Sequence, residues 1–461
     1  MAAAQAQSWV GESGGLLSNP KRMEASLMEA GARLLVTSFL GRYISTGSLI
    51  LMEEGGTIFT FEGNKRKSSL KFVLKVHRPQ FYWKVMTRAD LGLASAYIDG
   101  DFSFTDKNDD LLNLFMIFIA SRDSNSSASK LNKRRGWWTP VLFTAGLASA
   151  TYFFAHFLRQ NTLRQARTNI SRHYELSNEL FALFLGESMQ YSCAVFKKED
   201  EDLNVAQLRK ISLLIEKARI DEKHEVLEIG CGWGIFAIQV VKQTGCKYTG
   251  ITLSEEQLKF AEKKVKDAGL QDNIRFLLCD YRQLPDTYKY DRIISCEMIE
   301  HVGHEFMEEF FGCCESVLAE DGVVVLQFSS LPDERYEQYR KSSDFIKEYI
   351  FPGCCVPSLS RIISAIAAAS SVEHVENIGN HYYQTLRSWR KNFMENQRLD
   401  IELRQMTHSP PTAVAQEPQA FSRRITFTNK PRPLQLGQNS GGCRLFCGLD
   451  DHEKMRSIET I

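Results

Sequence analysis

The stretch Val226–Gly234, VLEIGCGWG, decides the fold of this chain. Val226, Leu227 and Ile229 form a short apolar run, and a turn with alternating glycines separates it from a helical pattern at Ile235–Lys242. This order predicts a buried parallel strand, a tight turn and a helix N-terminus. Glycines let the backbone turn sharply and approach a ligand, because no Cβ atom stands in the way. The N–H groups of the helix N-terminus then point toward that ligand.

The spacing of the glycines separates two classes of ligand. A dinucleotide site has the pattern G-x-G-x-x-G and an acidic residue about 20 positions later. Here Gly230, Gly232 and Gly234 follow the pattern G-x-G-x-G, and Glu228 precedes the first of them. This pattern resembles motif I of the class I S-adenosylmethionine-dependent methyltransferases, which implies that the turn lies under the methionine part of that cofactor. The alternative is an ordinary strand–helix turn with incidental glycines.

The residues after the glycine turn alternate regularly between strand and helix patterns. The predicted strands and helices are Lys247–Ile251, Glu255–Asp267, Ile274–Leu278, Tyr290–Cys296, Met307–Leu318 and Val323–Phe328. Short turns between alternating strands and helices predict a mostly parallel sheet covered on both faces. The fold class is therefore α/β and Rossmann-like, with a small α+β domain before it. In such sheets ligands bind beyond the carboxyl ends of the strands.

Composition excludes several classes of protein. At 461 residues, with 43% hydrophobic and 24% charged residues, the chain suits two or three globular domains. Lys+Arg and Asp+Glu are both 56, so no overall positive field favours nucleic acid as a partner. The 11 cysteines are scattered and form no pair of CxxC motifs, so no zinc site is predicted. Without a secretory signal pattern at Met1, these cysteines favour a reducing compartment, and we expect a cytoplasmic protein.

Changes of composition divide the chain into five predicted segments. They are a flexible leader (1–28), a small α+β domain (29–120), a linker with a basic run and an apolar helix (121–172), a methyltransferase domain (173–396) and a disordered tail rich in Pro, Gln and Ser (397–461). In the α+β domain, the predicted strands and helices are Ser48–Met52, Thr57–Phe61, Leu70–Val76, Phe81–Met86, Asp90–Ile98 and Asp109–Ala120.

Further helices and loops are predicted on either side of the alternating region. Ser177 is a predicted N-cap, and the stretch Ser121–Ser129 is a predicted Ser/Asn linker. The other predicted helices are Asn204–Ala218, Asp333–Lys347, Ser358–Ser370 and Leu386–Asn396, and the stretch Asn377–Thr385 is predicted to be a polar–aromatic loop.

The predicted linker carries features that suit a membrane surface. A basic run at Lys130–Arg135 precedes Trp137 and Trp138, which open an uncharged stretch that ends at Leu158. Basic residues attract anionic headgroups and tryptophans favour the interface, so an interfacial helix fits best. Two alternatives stay open, a helix buried between domains and a spanning helix, for which the stretch has the length but weak apolarity.

Seven phrases together narrow the family. They are HYELSNELF (173–181), MQYSCA (189–194), LEIGCGWG (227–234), GITLSEEQ (250–257), DYR (280–282), MIEHVG (298–303) and KEYIFPG (347–353). In combination they resemble the cyclopropane-fatty-acyl-phospholipid synthases and the mycolic acid cyclopropane synthases. The resemblance extends from about Ser48 to Phe393. Within the family, the sequence resembles the plant branch.

The resemblance implies a reaction and a substrate. This family transfers the methyl group of S-adenosylmethionine to the cis double bond of an unsaturated acyl chain, which produces a carbocation. A base then removes a proton from the new methyl group, and a cyclopropane ring closes. The implied partner is an unsaturated phospholipid at a membrane surface, with peripheral attachment of the protein, while a homodimer is left open.

The resemblance also assigns cofactor-binding residues, one position at a time. Tyr191 and Ser192 would contact the methionine end, above the turn with Glu228 and the three glycines. Thr252, Leu253 and Gln257 would face the ribose, because this family has Thr-Leu-Ser where many methyltransferases place an acid. Asp280 and Tyr281 would hold the adenine.

The family's base is a bound bicarbonate, and four residues of this chain match its binding site. Cys193, Glu300 and Tyr382 match three residues that hold it. Gln327 stands where bacterial members have a histidine, and its amide can donate a hydrogen bond to an anion but cannot become charged. Each has a plainer interpretation: Cys193 as a buried thiol, Glu300 as an acid at a helix N-terminus, and Tyr382 as a core aromatic.

The end of the chain departs from the family pattern. Family members continue past the helix that carries Trp389 with a further helix and closing strands, and nothing after Gln397 matches them. We therefore expect a sheet without its last strands and an incomplete acyl pocket. Two alternatives to cyclopropane synthesis follow: an inactive or regulatory lipid-associated protein, and a methyltransferase for another acceptor, such as an alkene without ring closure or a small amine.

Overall fold

A computed structural model describes residues 26–64, 69–106, 110–128, 161–174, 177–342, 344–366 and 371–406. The described residues up to 128 belong to one compact unit, and those from 161 to 406 belong to a second. The predicted interfacial stretch from Trp137 to Leu158 lies outside the described residues. Among the helices that are described, none is both long and apolar enough to cross a lipid bilayer.

The first unit is a small α+β layer structure. Its elements are α1 (Leu27–Tyr43), β1 (Ser48–Glu53), β2 (Ile58–Glu62), β3 (Lys71–Val76), α2 (Gln80–Ile98), β4 (Phe102–Phe104) and α3 (Asp110–Ala128). The strands form one sheet in the order β2-β1-β3-β4, in which β1 and β3 are parallel and the other pairs antiparallel. The two predicted helices, Phe81–Met86 and Asp90–Ile98, both lie within α2, and the backbone leaves the helical conformation between them at Ala89, so the predicted break is confirmed.

The second unit begins with helices and continues as alternating strands and helices. Its elements are α4 (Leu163–Tyr174), α5 (Asn178–Leu185), α6 (Leu203–Ala218), β5 (Glu225–Ile229), α7 (Ile235–Thr244), β6 (Lys247–Thr252), α8 (Glu255–Asp267), β7 (Ile274–Leu278), β8 (Tyr290–Cys296), α9 (Met307–Val317), β9 (Leu318–Gln327), α10 (Asp333–Arg340), α11 (Leu359–Ile366) and α12 (Asn380–Met406).

The strands of the second unit form a parallel sheet in the order β7-β6-β5-β8-β9. β5, which carries the deciding sequence, is central and pairs with β6 and β8. Successive side chains of a strand point to opposite faces. Val226 and Ile294 accordingly pack into the core beneath α7, whereas Leu227 and Ile293 pack into the core beneath α9. The α/β fold class predicted from the sequence is confirmed.

Helix α3 is longer than predicted, because the Ser-rich stretch from Ser121 is helical to Ala128. Ser121 is fully buried, and its Oγ accepts a hydrogen bond from the backbone N–H of Ser45 at 3.1 Å. The hydroxyl of Ser45 donates in turn to the carbonyl of Ser121. These contacts hold the helix against the residues before β1, so the prediction of a linker from Ser121 is wrong for this stretch.

The predicted helix Asp333–Lys347 ends early, because α10 stops at Arg340. Lys347 is buried, and its ammonium group donates to the carbonyl oxygens of Tyr339 at 2.6 Å and Ser342 at 2.8 Å. A cation that binds the last carbonyl groups of a helix satisfies acceptors that have no partner within the helix. The chain then forms a π-helical turn at Ile346–Ile350 instead of continuing α10.

Helix α12 is longer than predicted at both ends. It starts at Asn380, inside the predicted polar–aromatic loop, and continues to Met406, so the first ten residues of the predicted disordered tail are helical. The segment from 380 to 406 contains no Gly or Pro and many strong helix formers. The tail beyond Met406 lies outside the described residues.

Helix α1 was not predicted, although its start carries a recognisable signal. Ser26 and Glu29 form a reciprocal capping box, in which each side chain binds the backbone N–H of the other residue. The helix therefore begins within the predicted leader.

The glycine turn generates a prediction about stability. Gly234 has φ +77°, and a Cβ atom there would lie 2.6 Å from Cβ of Ala261. Gly232 also has a positive φ, +52°, but a Cβ atom there would meet nothing within 4 Å. Gly232→Ala is expected to lower the free energy of unfolding by about 1–2 kcal/mol through the backbone alone. Gly234→Ala is expected to cost about 1–3 kcal/mol more, because it also overpacks the core.

Urea denaturation of both variants and the wild type measures this difference. Equal losses for the two variants would contradict the close packing of Gly234 against α8.

Candidate active site

A cavity lies beyond the carboxyl ends of β5, β6 and β8, where the sequence predicts a cofactor. The candidate cofactor-binding residues that line it are Tyr191, Ser192, Glu228, Gly230, Gly232, Thr252, Leu253, Gln257, Asp280 and Tyr281. Gly234 does not line the cavity, because it is packed against α8. Residues from α4, including Ala166 and Ile170, also line it, although the sequence predicts a linker there.

The floor of the cavity is the glycine turn between β5 and α7. Gly230 has φ +88°, and a Cβ atom there would lie 2.8 Å from Cγ of Met298, so the turn depends on glycine at this position. Its backbone is fixed from beneath, since the N–H groups of Gly230 and Cys231 both donate to the carbonyl of Ile251 at 3.0 Å.

Glu228 places a buried carboxyl group beside the turn. The residue is 2% exposed, and its Oε2 atom has no hydrogen-bond partner among the described residues. Burial raises the pKa of this carboxyl to about 8. A buried polar atom without a partner is costly, so a ligand that binds Oε2 would relieve this cost.

The predicted ribose side of the cavity is formed by the turn after β6. The hydroxyl of Thr252 donates to Oε1 of Gln257 at 2.9 Å and accepts from the backbone N–H of Ser254. Ser254 caps α8 as predicted, with its hydroxyl accepting from the N–H of Gln257. These bonds fix the positions of the Thr252 and Gln257 side chains, which are neutral hydrogen-bonding groups.

The predicted adenine side of the cavity is formed by the residues after β7. Arg282 donates to both carboxylate oxygens of Asp280 at 2.8 Å, and its guanidinium group lies 5.1 Å from the ring centroid of Tyr281. Asp280 is 3% exposed, so the bidentate ion pair compensates for the burial of its charge. The pair leaves a flat aromatic ring and anchored acceptor oxygens at the cavity wall.

Aromatic rings surround the end of the cavity that is predicted to hold the methionine part of the cofactor. Tyr174 packs against Tyr191 at 6.4 Å and Trp233 at 6.0 Å between ring centroids. Tyr191 also packs against Trp389 at 5.3 Å and Phe351 at 6.0 Å. The faces of such rings are electron-rich and attract cations. A sulfonium group or a carbocation is the kind of ligand that this wall would stabilise.

Lys210 is a buried cation that the sequence analysis missed. Its side chain is held by Oε1 of Gln190 at 2.7 Å and the hydroxyl of Ser192 at 2.9 Å, and the residue is 1% exposed. It extends from the buried face of α6, between the core residues Ile211 and Ala206. A lysine on the apolar face of an amphipathic helix was the signal that could have identified it.

A second group of residues lies beside the cavity and converges on Glu297, which was not a predicted site residue. Oε1 of Glu297 accepts hydrogen bonds from the backbone N–H of Cys193 at 2.6 Å and from Nε2 of Gln327 at 3.1 Å. Its Oε2 accepts from the hydroxyl of Tyr382 at 2.8 Å. The structure therefore brings together three of the four predicted catalytic residues, around a carboxylate that none of the motifs singled out.

The fourth predicted residue, Glu300, lies one turn further along the chain. Its Oε1 accepts from the backbone N–H of Ser329 at 2.6 Å, while Oε2 has no partner among the described residues. Burial, and then the charge of Glu297, raise the pKa of Glu300 to about 8. At neutral pH Glu300 is therefore mostly protonated.

Cys193 contributes its backbone, and its thiol points elsewhere. The sulfur lies 3.4 Å from the carbonyl of Ala194 and 3.9 Å from that of Ile378. Burial, and then the charge of Glu297, raise the pKa of this thiol well above its usual value, so it stays a neutral thiol. A neutral buried thiol is a poor nucleophile.

The parallel sheet, the glycine turn and the cavity at the strand ends define a class I S-adenosylmethionine-dependent methyltransferase. The sequence model of the family described as mycolic acid cyclopropane synthetase matches residues 161–408. The chain belongs to this family.

Comparisons with individual proteins agree with this assignment. The chain is 32% identical to the tuberculostearic acid methyltransferase UfaA1 of Mycobacterium tuberculosis over 332 residues, which are 70% of this chain and 73% of that protein. It is 30% identical to the cyclopropane-fatty-acyl-phospholipid synthase of Escherichia coli K12, over 70% of this chain and 76% of that protein. The crystal structure of the mycolic acid cyclopropane synthase CmaA1 complexed with SAH and CTAB matches 57% of this chain and 92% of that chain, with 29% identity and a TM-score of 0.50.

The raised pKa of Glu228 generates a prediction about pH. Because the folded carboxyl has a pKa of about 8 and the ordinary value is 4.5, the folded protein holds this proton more tightly than the unfolded chain. Its contribution to stability is complete below pH 4.5 and is lost as the pH rises toward 8. Glu228→Gln removes this titration. Relative to the wild type, the variant should gain about 1.4 kcal/mol in free energy of unfolding per pH unit across this window.

Denaturant titrations of both proteins at several pH values measure the effect. If the two stability curves run parallel from pH 4.5 to pH 8, the carboxyl is not buried as described.

Proposed function

We propose that this chain transfers a methylene group from S-adenosylmethionine to the cis double bond of an unsaturated phospholipid acyl chain, giving a cyclopropane fatty acid. One observation carries the proposal: the cofactor cavity ends at an aromatic wall, next to Glu297, which lines the cavity, and the buried acid Glu300. Such a site suits a reaction that passes through a cation and ends with loss of a proton.

The residues of the cavity fit the proposed cofactor. The unpartnered oxygen of Glu228 and the backbone of the glycine turn suit the polar methionine end. Thr252 and Gln257 suit the ribose hydroxyls, and the ring of Tyr281 suits the adenine. When bound, S-adenosylmethionine supplies an activated methyl group on a positively charged sulfur. The chain's own residues then have the tasks of positioning, excluding water and accepting a proton.

The aromatic wall suits a reaction in which a weak nucleophile must be positioned and a cation must be protected from water. An alkene is a weak nucleophile, so it must be held in line with the methyl group in a dry pocket. The cation that follows would react with water to give an alcohol. Tyr174, Tyr191 and Trp233 offer ring faces that stabilise a cation without attacking it. Of the predicted catalytic groups near them, Cys193, Glu300 and Gln327 are buried and Tyr382 is half-buried, which limits contact with bulk water.

A second candidate is methylation without ring closure, which leaves a branched chain. It is favoured by one relative, which is a tuberculostearic acid methyltransferase, whereas another relative is a cyclopropane-fatty-acyl-phospholipid synthase. Both reactions need the same cofactor and the same cation. They differ in which proton the base removes, so the product has to be identified chemically.

We further propose that the protein works at a membrane surface as a peripheral protein. A phospholipid substrate requires access to a bilayer, and the basic run at Lys130–Arg135 with the tryptophans after it suits anionic headgroups.

The reaction can be tested with the purified full chain, methyl-labelled S-adenosylmethionine and vesicles of monounsaturated phospholipid. The expected product is a labelled cyclopropane fatty acid, identified by mass spectrometry and NMR after release from the lipid. A labelled methyl branch would instead establish the second candidate. Binding of S-adenosylmethionine in calorimetry without any labelled lipid would contradict both and favour an inactive or regulatory lipid-associated protein.

The cofactor site can be tested separately with a matched pair of substitutions. Asp280→Asn removes the charge from the predicted adenine site, and Asp286→Asn makes the same change at an exposed position of the same loop. We expect the first variant to raise the dissociation constant for S-adenosylmethionine by about 10–100-fold, the usual consequence of losing a charged hydrogen-bonding partner. The second variant should bind as the wild type does. Equal affinities for all three proteins in calorimetry would show that Asp280 does not contribute to cofactor binding.

A further inference from the structure

The residues that the family resemblance assigns to a bound bicarbonate do not fit that ion in this chain. Its expected partners include Cys193, Tyr382 and Gln327. In this structure the N–H of Cys193, the amide of Gln327 and the hydroxyl of Tyr382 all donate to the carboxylate of Glu297. The donors that would receive a small oxyanion are therefore already occupied by a side chain of the protein.

We propose that the carboxylate of Glu297 takes the place of bicarbonate and is the base of this enzyme. The proposal rests on the proposed function, since it assigns the proton acceptor of that same reaction. A carboxylate and a bicarbonate present the same pair of oxygens on a planar carbon, so one set of donors can hold either.

The position of Glu297 supports a role at the reacting atoms. Glu297 lines the cofactor cavity, whereas the residues that hold it, Cys193, Gln327 and Tyr382, do not. It follows directly after Cys296, the last residue of β8, at the carboxyl edge of the sheet. The other buried acid, Glu300, also lies outside the cavity lining.

The hydrogen bonds of Glu297 leave room for a proton. A carboxylate has about four acceptor positions, two on each oxygen. Oε1 uses both of its positions for Cys193 and Gln327, and Oε2 uses one for Tyr382. The second position on Oε2 has no donor among the described residues, so this oxygen is the acceptor for the proton.

Hydrogen bonds and charge around the site favour the ionised form of Glu297 more than that of Glu300. Burial raises the pKa of Glu297, whereas its three hydrogen bonds and the charge of Lys210 act in the opposite direction. Burial and the charge of Glu297 raise the pKa of the Tyr382 phenol well above its usual value, so it remains a donor. Glu300 has fewer donors, and the charge of Glu297 helps to keep it protonated.

The proton transfer balances without a further reactant. The π electrons of the alkene form the new C–C bond as the C–S bond breaks, and its electron pair stays on sulfur. The positive charge then lies on the other alkene carbon. Oε2 of Glu297 takes a proton from the new methyl group, and the C–H electron pair forms the last bond of the ring. The proton passes from the carboxylic acid to solvent after the product leaves.

The backbone conformation of Glu297 is strained, which is typical of residues at active sites. Glu297 has φ +49°, a conformation that glycine adopts readily and other residues rarely do. Its N–H donates to the carbonyl of Gln327 at 2.6 Å, which ties the strained residue to the end of β9. Strain of this kind persists where the surrounding structure enforces it, often at active sites.

Glycine at this position would relieve the strain and open the anion site, which provides the test. The activity of Glu297→Gly should depend on added bicarbonate. In Glu297→Gln the amide should occupy the anion site but cannot act as a base. We expect the wild type to keep its rate of lipid methylation in buffer freed of bicarbonate. Without bicarbonate both variants should be slower by about 100-fold or more, the usual contribution of a general base. Millimolar bicarbonate should restore activity to the glycine variant alone.

A binding measurement makes the test independent of turnover. Carbon-13 NMR of labelled bicarbonate should show line broadening with Glu297→Gly and none with the wild type or Glu297→Gln. Bicarbonate binding to the wild type, a wild-type rate that falls when bicarbonate is removed, or full activity of Glu297→Gln would each overturn the proposal. If the wild type modifies no lipid, the proposed function fails, and the NMR result still decides whether Glu297 occupies the anion site.

Calorimetry with S-adenosylmethionine shows whether each variant is folded. If the glycine variant does not fold, the bicarbonate dependence of the wild type and the rate of Glu297→Gln still decide the outcome.

Discussion

The site depends on the burial of acidic groups at the carboxyl edge of the sheet. A buried carboxylate is costly unless hydrogen bonds or opposite charges compensate for it. Glu297 receives three hydrogen bonds and lies within the influence of Lys210, while Glu300 avoids the cost by keeping its proton. The difference between the two acids follows from the number of donors each receives, three for Glu297 and one for Glu300.

The same constraint explains why distant elements meet at this point. The donors to Glu297 come from the loop after α5, from the end of β9 and from the first turn of α12. Tyr382 reaches the carboxylate because α12 begins at Asn380, earlier than its sequence suggests. The candidate catalytic site is therefore assembled by the sheet edge and by a helix far along the chain, and a displacement of α12 would remove a donor from the carboxyl group of Glu297.

The sequence predicted the parallel sheet and most of the cofactor cavity, because both depend on local patterns. The βα alternation and the glycine spacing fix the strand ends, and the family motifs fix residues such as Thr252 and Asp280. The interactions at Glu297 escaped prediction for a physical reason: its hydrogen bonds come from residues far along the chain, and those from Cys193 and Tyr382 span more than 80 positions. Lys210 escaped prediction because its ammonium group binds oxygen atoms of a loop that is distant in sequence, although the sequence does show a lysine on an apolar helix face. The ends of α3 and α10 differ from the prediction because Ser121 and Lys347 form tertiary hydrogen bonds, and local helix propensity does not predict such bonds.

A base that belongs to the protein differs physically from a bound ion. A bicarbonate must be captured from solution and loses translational freedom on each binding event, whereas Glu297 is covalently held and needs no such step. The cost appears instead in the folded protein, as a strained backbone and a buried charge. The arrangement also removes the need for a charged residue at position 327. Gln327 has only to donate one neutral hydrogen bond to a charge that is already fixed, which accounts for an amide at a position where bacterial members have a histidine.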